Sequence, residues 1–108
     1  MNDRIYIAGA ISNNPHFKEE FALAQRYLLN KGYVVLNPAI LPKGLSQEEY
    51  MRICIPMLNI ADTVYFLKGW KKSTGAKIEH ALALQAGKRV LYQEEDLRLY
   101  VRGWVWKS

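Results

Sequence analysis

DTVYFLKGWKKSTGAKIEHALALQAGKRVLY, residues 62–92, sets two short runs rich in β-branched and aromatic residues on either side of a segment patterned for a helix. Residues 62–67 and 88–92 therefore predict strands. Between them, a hydroxyl- and glycine-bearing turn at residues 73–75 opens a helix that Gly87 stops. Two strands joined by one helix lie parallel, with a right-handed crossover.

Working outward, the same alternation repeats. RIYIAGAI from Arg4 reads as a buried strand entering a turn at Gly9. After SNNP, Asn14 suits a helix cap and Pro15 a first helical position; Phe17, Phe21, Ala24 and Leu28 then recur at helical spacing until Gly32. YVVLNP from Tyr33 reads as a second strand halted by Pro38, and AILPKGL as a loop. Ser46 and Glu49 form an S-x-x-E capping box, and Tyr50, Cys54, Met57, Leu58 and Ala61 line one face of the helix that follows. Pro56 should kink or restart that helix, because it removes a backbone donor and crowds the preceding turn. The end of the chain, EEDLRLYVRGWVWKS, reads as a helix to about Arg102 and then an aromatic stretch; Trp104 and Trp106, costly to leave in water, suggest a partner subunit.

The expectation is a single domain over residues 1–108: an α/β, small doubly wound parallel sheet covered on both faces, a three-layer sandwich of Rossmann-like type. Lys and Arg outnumber Asp and Glu by 15 to 10, a net charge of +5 that favours an anionic ligand. The basic residues are scattered, which argues against nucleic acid as the partner. One cysteine and two distant histidines exclude an internal disulfide and give no metal motif, so neither metal nor cofactor is expected. No apolar run has the length of a membrane span, and MNDRIYIAGAI lacks the basic start and long apolar stretch of a signal peptide; a cytoplasmic protein is the economical reading.

In such sheets, ligands bind beyond the carboxyl ends of the strands, where successive crossovers diverge to opposite faces. The loops AGAISNN, NPAILPKGLS and KGWKKSTGA should converge there, with Glu79 at the same edge and Asp62 at the opposite one in a structural role. Gly9 lets a ligand approach the backbone, and the amides of STGA with the Ser73 and Thr74 hydroxyls offer an anion site; equally, Ser73 or Thr74 caps the helix and Gly75 eases the turn. The stretch has neither the P-loop nor the G-x-G-x-x-G pattern, so ATP hydrolysis and nicotinamide chemistry are unsupported. Trp70 could stack on a base or seal a subunit contact. Asn37 offers an amide to a ligand or serves as a turn residue before Pro38. Tyr6 faces the crevice only in one sense of strand alternation. His80, next to Glu79, points roughly 100° away around the helix and is not expected to share its role.

The ordered set YIAGAIS, VVLNPA, ADTVYFLKGW and STGAKIEHALALQAGK resembles the nucleoside 2-deoxyribosyltransferase-like superfamily, in particular its DUF4406 branch, over nearly the whole chain. The resemblance implies a flavodoxin-like fold, a homo-oligomer whose neighbouring subunit helps close the pocket, and cleavage or transfer at the N-glycosidic bond of deoxynucleosides or their monophosphates. It places the catalytic nucleophile on Glu79, four residues after Gly75. A carboxylate beside C1′ can displace the base and form a glycosyl ester that water or a second base resolves. Serine six residues before the glutamate, here Ser73, is what the resemblance associates with monophosphates, and a helix amino terminus suits a phosphate. The chain departs from the pattern at Ala10, in place of a proline, and at Cys54, where an acidic residue would bind substrate and manage the base proton. Glu48 or Glu49 could reach in, or simply cap their helix. The alternative to an enzyme is a catalytically impaired protein that binds a nucleotide or nucleotide signal in the same pocket.

Overall fold

A computed structural model describes residues 3–93. The expected helix toward Arg102 and the aromatic stretch with Trp104 and Trp106 lie outside the described residues. The fold is α/β: strands β1 (Arg4–Ala8), β2 (Val34–Leu36), β3 (Thr63–Phe66) and β4 (Arg89–Tyr92) alternate with helices α1 (Phe17–Asn30), α2 (Gln47–Ile60) and α3 (Thr74–Gln85). All strand pairs are parallel, in the order β2-β1-β3-β4. The chain thus steps outward from β1 to β2 and then back across β1 to β3, which puts the topological switch point between β1 and β3.

Side-chain alternation along the two central strands builds a core on each face. Ile5, Ile7, Tyr65 and Leu67 point to one side and pack with Phe21, Ala24 and Leu28 of α1. Tyr6, Ala8, Val64 and Phe66 point to the other and pack with Cys54 and Leu58 of α2 and Ala83 of α3. A strand covered on both faces is buried at every position, and β3 is buried from Thr63 to Phe66. Asp62 closes the amino edge of the sheet: its carboxylate accepts from the Arg4 amide at 2.9 Å, and its carbonyl from the Arg89 amide.

Three boundaries differ from the sequence expectation. Helix α1 begins at Phe17, two residues beyond Pro15, because Asn14 is spent on the turn before it: its side chain accepts from the His16 amide and donates to the Ala10 carbonyl and to Glu20. Residues Pro38–Ile40 and Trp70–Lys72, read as loop, each form one 3₁₀ turn. Helix α2 does not restart at Pro56; it runs unbroken from its capping box to Ile60, with Pro56 on the exposed face. The capping box forms as read, with the Ser46 hydroxyl accepting from the Glu49 amide and the Glu49 carboxylate accepting from the Ser46 amide.

The carboxyl end of α2 carries no basic residue of its own. Lys88 supplies one from outside, donating to the carbonyls of Asn59 at 3.0 Å and Ala61 at 2.7 Å. Lys88→Met, which keeps the aliphatic stem and removes the donor, is expected to cost about 1 kcal/mol in urea unfolding. No described helix is long and apolar enough to cross a membrane.

Candidate active site

The loops after β1, β2 and β3 converge at the carboxyl edge of the sheet around a cavity of about 320 Å³. Its floor is Tyr6 and Ala8 of β1, one wall is Tyr50, Met51 and Cys54 of α2, and the other is Ser73, Gly75, Ala76 and Glu79 at the start of α3. Residues 41–46 and Gly9, Ile11, Ser12 and Phe17 complete it.

Glu79 is only 5% exposed, so its carboxylate is a charge placed in an interior by the fold. It accepts a short hydrogen bond of 2.5 Å from the Tyr6 hydroxyl. Register brings the pair together: Tyr6 alternates onto the α2/α3 side of the sheet, and Glu79 lies one and a half turns into α3 on the face that meets it. Desolvation pushes the Glu79 carboxyl up to about 7, against a smaller lowering by the Tyr6 hydrogen bond. Burial and the nearby Glu79 carboxylate raise the Tyr6 phenol far above its ordinary range. Burial raises Cys54 to about 11 and Tyr50 to about 12. At neutral pH these three groups are neutral, and Glu79 is poised between its two forms.

The amino terminus of α3 stands at the other end of this wall. Ser73 is the N-cap of α3, its hydroxyl oxygen accepting from the Ala76 amide at 3.1 Å. That capping uses the hydroxyl oxygen as acceptor and leaves the Gly75 amide, at the cavity wall beside Ser73, without an intrahelical acceptor. Gly75 is where α3 meets α2: a Cβ there would stand 3.0 Å from the Gln47 amide nitrogen. Gly9 is held close to Leu67 in the same way, with a Cβ placed 3.1 Å from the Leu67 Cβ.

Of the candidate residues, Tyr6, Gly9, Cys54, Ser73, Gly75 and Glu79 line the cavity, and Asn37 and Trp70 do not. Asn37 is turned toward α1: its carbonyl oxygen accepts from the Ala39 amide at 2.9 Å and its amide donates to Gln25 at 2.8 Å. Trp70 leans away from the cavity, its ring 4.3 Å from His80 and 5.0 Å from Phe66 between centroids. His80 joins that cluster and meets the Tyr92 hydroxyl at 2.6 Å, apart from Glu79. Neither Glu48 nor Glu49 reaches in: Glu48 pairs with Arg52 at the surface, and Glu49 is held by Ser46, whose hydrogen bonds keep its carboxyl below the usual range. Glu79 is therefore the one carboxylate lining the cavity among the described residues. Among those residues, no three His, Cys, Asp or Glu side chains cluster so as to hold a metal ion.

Residues 3–92 match the family model described as a domain of unknown function, DUF4406. The chain belongs to the DUF4406 family. Comparison with curated proteins found no match.

The cavity of this DUF4406 domain also contains residues the sequence reading did not single out as ligands: Ser12, Lys43, Gln47, Tyr50 and Met51. Gln47, Tyr50 or Met51, and Cys54 fall at i, i+3 or i+4, and i+7, so the helical face already read through Cys54 carried that signal. Lys43 had no local signal; the loop after β2 folds it over the cavity rim, whereas Lys71, Lys72 and Lys77 do not line it. The arrangement offers a buried carboxylate with a fixed hydroxyl donor, neutral hydrogen-bonding walls, and one helix amino terminus with one lysine for an anion.

Proposed function

We propose that this DUF4406 domain cleaves or transfers at the N-glycosidic bond of deoxynucleosides or deoxynucleoside monophosphates, with Glu79 as nucleophile. The supporting observation is the buried Glu79–Tyr6 pair inside the cavity at the topological switch point. A surface helix has no use for a desolvated carboxylate, whereas a nucleophile gains reactivity when its pKa is raised toward neutrality. In the proposed reaction, Glu79 attacks C1′, the base leaves with the electron pair of the C1′–N bond and takes a proton from solvent, and water or a second base then displaces the carboxylate from the sugar and releases a proton to solvent. Tyr6 holds the carboxylate in one orientation. Ser73 and Glu79 are six residues apart, roughly 9 Å along the helix axis, a separation that suits a phosphate at the helix start with the sugar beyond it. The same reading takes the ligand to be a small nucleoside or nucleotide, the protein to be cytoplasmic, and a second copy of the chain to cover exposed apolar residues of α2 such as Ile60, 58% accessible.

The test is chromatographic detection of free base after incubation with each deoxynucleoside and deoxynucleoside monophosphate, with and without an acceptor base. Base release with a preference for monophosphates is the expected result. Ser73→Asp should reverse that preference by roughly 10-fold or more, since a second anion at the helix start repels phosphate. No release from any substrate would overturn the enzymatic reading.

One observation favours a second reading, a nucleotide binder with impaired catalysis. Cys54 is a neutral thiol beside Glu79, and among the described residues no other acid reaches its place. Under that reading, Cys54→Asp creates or sharply raises base release while nucleotide affinity stays the same, measured by the same assay and by calorimetry.

A further inference from the structure

A second concavity, a groove of about 700 Å³, runs along α1 on the outer side of the loop after β2. Lys18, Ala22, Arg26 and Leu29 recur on one face of α1 to form its wall, and Lys43 stands at the end where groove and cavity share residues 41–43. Among the described residues, three cations line it and no carboxylate does. The acids of α1 are engaged elsewhere: Glu19 faces His16, and Glu20 accepts from Asn14.

The amides of Asn37 and Gln25 are oriented with their donors outward. A backbone N–H can only donate, so the bond from the Ala39 amide fixes which side-chain atom of Asn37 is oxygen. The Asn37 NH₂ must then face Gln25, and the Gln25 oxygen must accept from it. Both acceptor oxygens are consumed inside the protein, and the amide hydrogens that remain belong to the Gln25 NH₂ and the second Asn37 N–H. Asn30 at the same groove offers both a donor and an acceptor, and a surface that adds three cations and the outward donors of Gln25 and Asn37 to it, with no acid among the described lining residues, selects anions. Lys18 and Arg26 stand about 12 Å apart along the helix, a span that two or three linked phosphates can cover.

We infer that this groove binds a phosphate chain, and that the ligand of the adjoining cavity is a nucleotide with more than one phosphate whose anionic tail crosses the rim at Lys43. The second half of this inference rests on the nucleotide reading of the cavity; the first half does not. Inorganic tripolyphosphate tests the groove without a nucleoside, and the charge-reversal variant separates the groove from the helix start at Ser73. It should bind the wild-type chain and lose roughly 10-fold or more in affinity in the Lys18→Glu/Arg26→Glu protein, as expected when exposed cations are reversed, with a strong dependence on salt. It should bind Glu79→Gln as it binds wild type. Equal tripolyphosphate binding by wild type and the double variant would overturn the groove assignment. Deoxyadenosine mono-, di- and triphosphate test the link to the cavity. Affinity should rise with phosphate number in wild type and become flat in the double variant, with monophosphate binding unchanged within about twofold, since both positions lie outside the cavity. A gain that survives charge reversal, or a triphosphate that binds no better than tripolyphosphate, would overturn the link.

Discussion

Glu79→Gln will abolish base release, with kcat/KM falling by roughly 10³-fold or more, as expected when a nucleophile is removed and its surroundings are kept. The substitution is nearly isosteric, and the glutamine oxygen can still accept from the Tyr6 hydroxyl. The wild-type pH profile carries the same signature. The nucleophile must be ionised, and burial places the Glu79 carboxyl at about 7, so kcat/KM should rise about tenfold per pH unit below that value and level off above it. A profile flat from pH 5 to 8, or a Glu79→Gln protein that retains activity, would remove Glu79 from the chemistry.

The second large effect of the same substitution is on stability, and it has the opposite sign. The folded protein holds the Glu79 proton more tightly than the unfolded chain, where the carboxyl returns to about 4.5. Below the unfolded value both states are protonated, and burying the side chain costs no ionisation energy. As pH rises from 4.5 toward 7, the unfolded chain releases its proton first, so the wild type loses stability across that window. Above the window the full cost is present: about two and a half units at about 1.4 kcal/mol each, or roughly 3 kcal/mol. Glu79→Gln carries no such cost. Urea unfolding should therefore find the variant more stable than wild type by about 3 kcal/mol at pH 8, with the difference vanishing near pH 4. A catalytic residue held at the expense of stability gives this pattern; a Glu79 that packs as an ordinary structural residue would give a destabilised variant at every pH.

Most of the fold was legible because its signals are local. Four apolar runs, the stops at Gly32 and Gly87 and the Ser46–Glu49 box are set by residues within a few positions of one another, and they appear where the sequence put them. The start of α1 was misplaced because Asn14 had two uses: it could cap a helix at Pro15, but its contacts to Ala10, His16 and Glu20 tie it into the preceding turn. The position of Glu79 at the sheet edge followed from topology. Its partner did not, since Tyr6 meets Glu79 only through the sense of alternation on β1, which depends on which face α1 covers. Asn37 and Trp70 sit at the expected edge, yet they bend outward to Gln25 and to His80, contacts 12 and 10 residues away that no short window contains. The same limit hid Lys43, whose place over the cavity depends on the path of the loop after β2.

The measurement that tests the central claim most directly is intact-protein mass spectrometry on acid-quenched turnover mixtures, with deoxynucleoside monophosphates as substrates. A covalent mechanism predicts a transient mass increase equal to a deoxyribosyl phosphate, mapped to the peptide that holds Glu79 and missing from Glu79→Gln. Base release without an adduct at any quench time, and unchanged in Glu79→Gln, would contradict the account.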